Sequence, residues 1–288
     1  MAFHRPCGLS PEADKLIADY TRDGFAIVRG FFNPSEVRTI AAAVDRVHAE
    51  GVAHGRSFRH GNLFYNVAPG TDDAEPVVRM AQWFAYHQPV LNAVRLDTRF
   101  VDLLEPLLGN DLKQIINQLH WKEPHGNADF AWHQDARFRR PAAAYRNLAT
   151  SYVQTGLAID PHTRISGCMR IVPGSHQRGR IDLDAACPVL GSSLDDTALI
   201  ATGLSPDAVV DLVLDPGDLA VWNPYLVHAS GPNRSQHRRR LYINGYVRAA
   251  DCDRGEWAFR GGEPVPFGAE PALVHYEQLR ERSEPHYL

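Results

Sequence analysis

In the stretch Ala131–Arg137, AWHQDAR, a histidine and an aspartate stand two apart, His133 and Asp135. In extended chain, residues i and i+2 point to the same side. The imidazole and the carboxylate could therefore converge on one ion. Two ligands leave most of a coordination sphere empty, so a third must come from elsewhere. With 14 histidines in the chain, residue type alone selects none of them, and His4, His48 and His286 read as solvated. His228 differs by context. It follows the apolar run DLAVWN and a turn, and it precedes Ser230, Gly231, Pro232 and Asn233. A histidine at a strand end beside such a turn can point into the mouth of a barrel, where ligands bind.

Two histidines and one carboxylate on one face of an ion leave three positions open, the facial triad of non-haem iron(II) oxygenases. Arg239 lies 11 residues beyond His228 and opens the run RLYINGYV. A 2-oxoglutarate molecule chelates iron through its 2-oxo acid end, and its other carboxylate needs a planar two-pronged donor, which a guanidinium supplies. Arg238 and Arg240 would point to the opposite face of the same strand. The alternative is that all three arginines are surface charges.

These residues need a scaffold of strands. From residue 111 onward LKQIINQLHWK, SYVQTGLAI, MRIVP, AVVDLVL, DLAVWN and RLYINGYV are short β-type runs punctuated by Gly, Pro, Asn and Asp. The pattern predicts a mainly β protein, an antiparallel sandwich, barrel or jelly roll. Residues 1–110 read as a mainly helical flank covering one sheet face, with FAIVRGFF as a short strand. Ser10 caps a first helix that stops at Gly24. Asn33 caps a second, with Val37, Ile40, Ala41, Val44 and Val47 as its apolar stripe and Gly51 as its end. HGRSFRHGNLFYNVAPGTDD reads as irregular, and short helices are expected over 76–108. Residues 111–250 form the core, with 181–210 as a loop-like insert of the kind that often serves as a lid. Residues 251–288 read as a tail, and 1–288 as a single domain.

Composition bounds the function classes. The 44% hydrophobic and 22% charged residues are ordinary for a globular protein, and the formal net charge is −4 with no basic block. Nothing there favours nucleic acid or an anionic membrane as a partner. Cys7, Cys168, Cys187 and Cys252 are scattered without a CxxC pair, which fits a reducing cytoplasm. MAFHRPCGLSPEADK lacks the apolar core of a signal peptide, and no apolar run approaches a membrane span.

Taken together, YTRDGFAIVRGFF, LEPLLG, WHQD, SGCMRIVPGSH, DPGDLAVWNPYLVHASGPNRS and the arginine that follows resemble the phytanoyl-CoA dioxygenase family over roughly residues 12–250. The resemblance implies a double-stranded β-helix, a cupin-like jelly-roll core with flanking helices. It implies Fe(II), 2-oxoglutarate as cosubstrate, and O2. His133, Asp135 and His228 match the iron ligands, and Arg239 the 2-oxoglutarate arginine. Gln118 and Arg79 fall near family positions that touch the cosubstrate. Their plainer readings are a polar strand edge and a helix-surface charge. A family tryptophan after VQT is replaced by Gly156, which implies more room beside the cosubstrate, with Thr155 as the candidate to fill part of its role. Asp135 is present where the related halogenases carry Gly or Ala, so hydroxylation or another oxidation is expected. The expected reaction oxidises an unactivated C–H bond of a small or medium-sized metabolite and releases succinate and CO2.

Trp132, Ser230 and Asn233 are candidates for orienting the ligands. His120, Trp121 and Phe138 read as pocket wall or core. Residues 54–75, the segment after HxD and the insert are expected at the pocket mouth. Arg137, Arg139 and Arg140 could take an anionic group or form a solvated loop. Two rivals stay open. One is a cupin-like isomerase or 2-oxoglutarate-independent dioxygenase, with no need of Arg239. The other is a non-catalytic binding module on the same barrel.

Overall fold

The computed structural model describes residues 11–70, 75–126, 129–183, 189, 195–272, 282 and 284–288. Helix α1 (Pro11–Asp23) stops at Gly24, whose φ of +83° lies in the left-handed region that glycine enters without a Cβ clash. Strand β1 (Phe25–Val28) follows, then α2 (Pro34–His54). Asn33 accepts from the amides of Ser35 and Glu36, and the Glu36 carboxylate accepts from the Asn33 amide, a reciprocal cap. The stripe expected on α2 is buried at Val37, Ile40, Val44 and Val47. Gly51 does not end it. The helix runs on to Gly55, and Gly51 is a packing position where a Cβ would sit 2.8 Å from Val78 Cγ2. Ser10 lies outside the described residues.

The segment read as irregular contains two strands, β2 (Phe58–His60) and β3 (Leu63–Ala68), and the first part of 76–108 is a third, β4 (Val77–Gln82). Helices α3 (Pro89–Arg95) and α4 (Thr98–Leu108) complete the flank. The flank is therefore part sheet. Strand β4 pairs with β5 (Leu112–Lys122) in the register Met80 to His120 and Gln82 to Gln118. Pairing to a central strand, not local propensity, makes these segments extended.

The later strands are β6 (Phe130–His133), β7 (Tyr152–Ala158), β8 (Met169–Ile171), β9 (Val210–Leu212), β10 (Leu219–Trp222), β11 (His228–Ser230) and β12 (Arg239–Arg248). The expected tail adds β13 (Glu256–Arg260), β14 (Glu263–Pro264) and β15 (His286–Tyr287). Strand β13 pairs with β5, and β15 pairs with β2, so His286 is buried rather than solvated. His48 is also partly covered, 3.3 Å from Glu123.

Two antiparallel sheets result. Among the described residues the larger runs β1-β10-β7-β12-β5-β4-β3-β2-β15, with β13 and β14 beside β5, and the smaller runs β6-β11-β8-β9. This is the jelly-roll core, and its sheets face each other across a cavity. The outer face of the large sheet is covered by α2, α3 and α4, as expected of the helical flank. Leu119, Trp121, Leu157, Val221 and Tyr242 pack there against Ile40, Val44, Leu91, Phe100 and Leu104. Period-two alternation leaves Ile116, Gln118 and His120 of β5, with Arg239, Leu241 and Ile243 of β12, on the inner face. No helix among the described residues is long and apolar enough to cross a membrane.

Candidate metal centre and cosubstrate pocket

The small sheet sets the geometry. Strands β6 and β11 pair so that His133 and His228 are direct cross-strand partners, and their ring centroids lie 4.1 Å apart. Strand β6 ends at His133, and Asp135 opens a short 3-10 turn. Gln134 between them is still extended, at φ −118° and ψ 133°, so the alternation carries Asp135 back to the histidine side. Gln134 points the other way. Its amide donates to the carbonyls of Gly179 and Tyr225 and accepts from the Ile181 amide, which fixes the turn.

One ligand atom from each of His133, Asp135 and His228 lies within 4.8 Å of the others, and all three residues are buried. Each histidine Nε2 is 3.8 Å from a different Asp135 oxygen. The Nδ1 of His133 is 2.7 Å from the Ala131 carbonyl, and that of His228 is 2.9 Å from the Leu226 carbonyl. A carbonyl only accepts, so Nδ1 carries the proton and Nε2 keeps its lone pair toward the common point. Burial, and then the neighbouring His228, pull the His133 pKa down to about 3, so its ring is neutral and able to donate. Burial alone would raise the Asp135 carboxyl. His228, His133, Arg139 and the Trp222 N–H outweigh it and hold the group below the ordinary carboxylate value. The Trp222 Nε1–H donates to Asp135 Oδ2 at 2.8 Å. The donor set is two imidazoles and one carboxylate, which suits iron(II).

The cavity beside the triad has a volume of about 430 Å³. Arg239 opens onto it and is 4% exposed. One terminal nitrogen donates to the Gly167 carbonyl at 2.6 Å, while the buried Nε has no hydrogen-bond partner. Burial lowers the Arg239 pKa to about 10, which leaves it charged at neutral pH. A buried cation with an orphan N–H and, among the described residues, no ion pair is what an anionic ligand would satisfy, so 2-oxoglutarate fits here. Its strand neighbours are not surface charges either: Arg238 pairs with Glu123 at 2.7 Å, and Arg240 with Asp160 at 2.7 Å and Asp45 at 2.8 Å on the helix side.

Gln118 lines the cavity, 3.2 Å from His120 Nε2. Arg79 and Thr155 do not. On β4 it is Met80 and Gln82 that line the cavity, and Arg79, at a register shift in the β3–β4 pairing, does not. The Thr155 hydroxyl donates to the Asn244 carbonyl on the outer side, and its neighbour Gln154 reaches the cavity instead. Gly156 leaves no extra room, because a Cβ there would lie 3.0 Å from the Trp222 ring and 3.2 Å from Leu241. Of residues 54–70 none lines the cavity, and 71–74 lie outside the described residues, as do most of 184–194 in the insert. Val189 does reach the wall. His120 and Phe138 are wall, and Trp121 is core.

Ser230 faces the cavity. Trp132 sits in a separate core and donates to Asp196, and Asn233 binds the backbone of Lys122 and His237. The sequence reading missed Gln82, Gln154 and above all Trp222. For Trp222 the usable signal was its place at the inner end of DLAVWN. It also missed Lys122, the cross-strand partner of Arg239, fully buried with its pKa lowered to about 6 by burial and then by Arg239.

A jelly roll carrying two imidazoles and one carboxylate at its inner face, next to an unsatisfied buried arginine, defines a non-haem iron(II)- and 2-oxoglutarate-dependent oxygenase. The chain belongs to the phytanoyl-CoA dioxygenase (PhyH) family, whose model matches residues 20–241. It is 29% identical over 161 residues to the dioxygenase lolE1 of Epichloe uncinata, an alignment covering 56% of each protein. It is 25% identical over 239 residues to a probable alpha-ketoglutarate-dependent hypophosphite dioxygenase of Stutzerimonas stutzeri, covering 80% of this chain and 77% of that one. Its fold is similar to the structure of EctD from S. alaskensis with 2-oxoglutarate and 5-hydroxyectoine, at a TM-score of 0.64 and 18% identity over 92% of this chain and 88% of that one.

Proposed function

We propose that His133 and His228, through Nε2, and Asp135, through its carboxylate, hold Fe(II). Arg239 takes the far carboxylate of 2-oxoglutarate, with Gln118 beside it. The observation that carries this reading is the Arg239 guanidinium, buried and short of a partner on the same cavity as the triad. It also weighs against a 2-oxoglutarate-independent cupin chemistry, which would have no use for so costly a buried cation.

Iron with 2-oxoglutarate supplies activation of dioxygen and oxidation of an unactivated C–H bond, with succinate and CO2 released. The protein's own part is placement. The backbone carbonyls of Ala131 and Leu226 hold the ring tautomers, and Trp222 holds the carboxylate. Met80, Ile116, Phe130, Leu241 and Ile243 keep water from the reacting face. The substrate is a small or medium-sized metabolite within the scale of the cavity, not a nucleic acid or a membrane. The chain works as one oxygenase domain in a reducing cytoplasm, which the free thiols of Cys168 and Cys252 support.

The test is succinate formed from 2-oxoglutarate with added Fe(II), first alone and then across a metabolite panel, with mass spectrometry of products that gain one oxygen. No turnover under any condition, and no anaerobic 2-oxoglutarate binding, refutes the reading.

A further inference from the structure

A second buried arginine shares the cavity beside the triad with Arg239. Arg139 closes the turn that Asp135 opens and is 7% exposed. It lines the cavity beside the triad and also a neighbouring cavity of about 330 Å³. A buried guanidinium is costly unless its N–H groups and its charge are answered. Those of Arg139 hardly are. Its Nε reaches the Asp135 backbone carbonyl at 3.5 Å, the limit of a hydrogen bond, and its Cζ lies 5.4 Å from the Tyr152 ring centroid. Among the described residues it forms no ion pair: its charge acts on the Asp135 carboxylate only through space, and the hydrogen bond to that carboxylate comes from Trp222.

The second cavity adds to the imbalance. Arg140 and Arg180 line it with Arg139, and among the described residues the one carboxylate lining it is that of Asp182. The chain as a whole has 34 acidic and 30 basic residues, so three guanidiniums around one cavity run against its average charge. Clustered charge of one sign in a cleft focuses its field on an incoming ion of the other sign. On the triad side the wall is apolar, with Met80, Ile116, Phe130, Met169 and Leu241.

We propose that Arg139 anchors the primary substrate. The site takes a small metabolite with an apolar carbon skeleton and a carboxylate or phosphoryl group. The anionic group sits on Arg139 at the edge of the basic cavity, and the skeleton lies along the apolar wall above the triad. This rests on the oxygenase reading. It assigns the two buried arginines that line the triad's cavity to different acids, Arg239 to the cosubstrate and Arg139 to the substrate.

The test is anaerobic calorimetric titration of the Fe(II)- and 2-oxoglutarate-loaded protein with hexanoate and hexyl phosphate, each against its neutral counterpart, hexanamide and hexanol. At least one anion should bind about tenfold or more tighter than its counterpart, the scale of one charge-assisted hydrogen-bond pair. Arg139→Gln should abolish that preference and Arg139→Lys keep part of it, while both variants bind 2-oxoglutarate within about threefold of wild type. The wild-type comparison and the lysine variant decide the matter if the glutamine variant does not fold. Neutral probes binding as tightly as the anions, or no binding of either anion, would overturn the proposal. So would a loss of 2-oxoglutarate affinity in Arg139→Gln as large as in Arg239→Gln. Failure of wild type to bind 2-oxoglutarate would instead sink the oxygenase reading.

Discussion

Replacing Trp222 by phenylalanine removes one N–H and keeps most of an aromatic ring. That N–H is 2.8 Å from Asp135 Oδ2, and Trp222 is 1% exposed. A hydrogen bond to a charged group contributes about 1.5–3 kcal/mol. At about 1.4 kcal/mol per factor of ten, its loss should weaken iron binding by roughly 10- to 150-fold. The effect should fall on the metal and not on the cosubstrate, because Trp222 touches the carboxylate ligand while Arg239 makes its contact at Gly167. The assay is anaerobic Fe(II) titration of Trp222→Phe, followed by 2-oxoglutarate titration at saturating iron. Iron affinity within about twofold of wild type would refute the reasoning, as would an equal loss for both ligands.

Gly156→Ala should act in the same direction but more weakly, since the new Cβ meets the Trp222 ring at 3.0 Å and 3.1 Å and must push it off Asp135; a double variant with Trp222→Phe should show less than the sum in the iron titration. Gly51→Ala gains about 1 kcal/mol of helix propensity, but its Cβ would face both methyls of Val78 at 2.8 Å and 2.9 Å. Val78 is β-branched and stiff, so overpacking of about 1–3 kcal/mol wins and urea unfolding should show net destabilisation. Asp218 accepts from the amides of Gly30 and Asp215 and pairs with Arg29, which together hold its carboxyl below the ordinary value against the raising effect of burial. A depressed carboxylate stabilises the fold above its unfolded pKa of about 3.9, and that stability is lost as pH falls through the lower folded value. Asp218→Ala should therefore be about 1–3 kcal/mol less stable at pH 7, and the gap to wild type should close below about pH 4 in pH-dependent denaturation curves.

The triad was legible because each part of it is local. His133 and Asp135 need only one extended residue between them, and Gln134 supplies it. His228 needed only a strand end, although its pairing opposite His133 is a matter of register that no local pattern encodes. Arg239 was legible by alternation along RLYINGYV, which puts Arg240 on the helix side with Asp45 and Asp160. What failed has a common cause. Strands β2 to β4 carry His, Asn and Arg and a weak alternation, and they are extended because β5 offers them an edge. Reading β4 as a helix hid Met80 and Gln82, which line the cavity where Arg79 does not. Gly156 seemed to open space because the sequence does not show that Trp222 crosses from the neighbouring strand to fill it. Arg139 looked like one of three equivalent loop arginines. Only packing against Tyr152 makes it the buried one.

The most direct test of the central claim is an anaerobic crystal structure of the protein with Fe(II) and 2-oxoglutarate, with the iron located by its anomalous scattering. The expected result is one iron bonded to His133 Nε2, His228 Nε2 and the Asp135 carboxylate, with the far carboxylate of 2-oxoglutarate on Arg239. Iron held by any other set of residues, or a cosubstrate bound without Arg239, would contradict it.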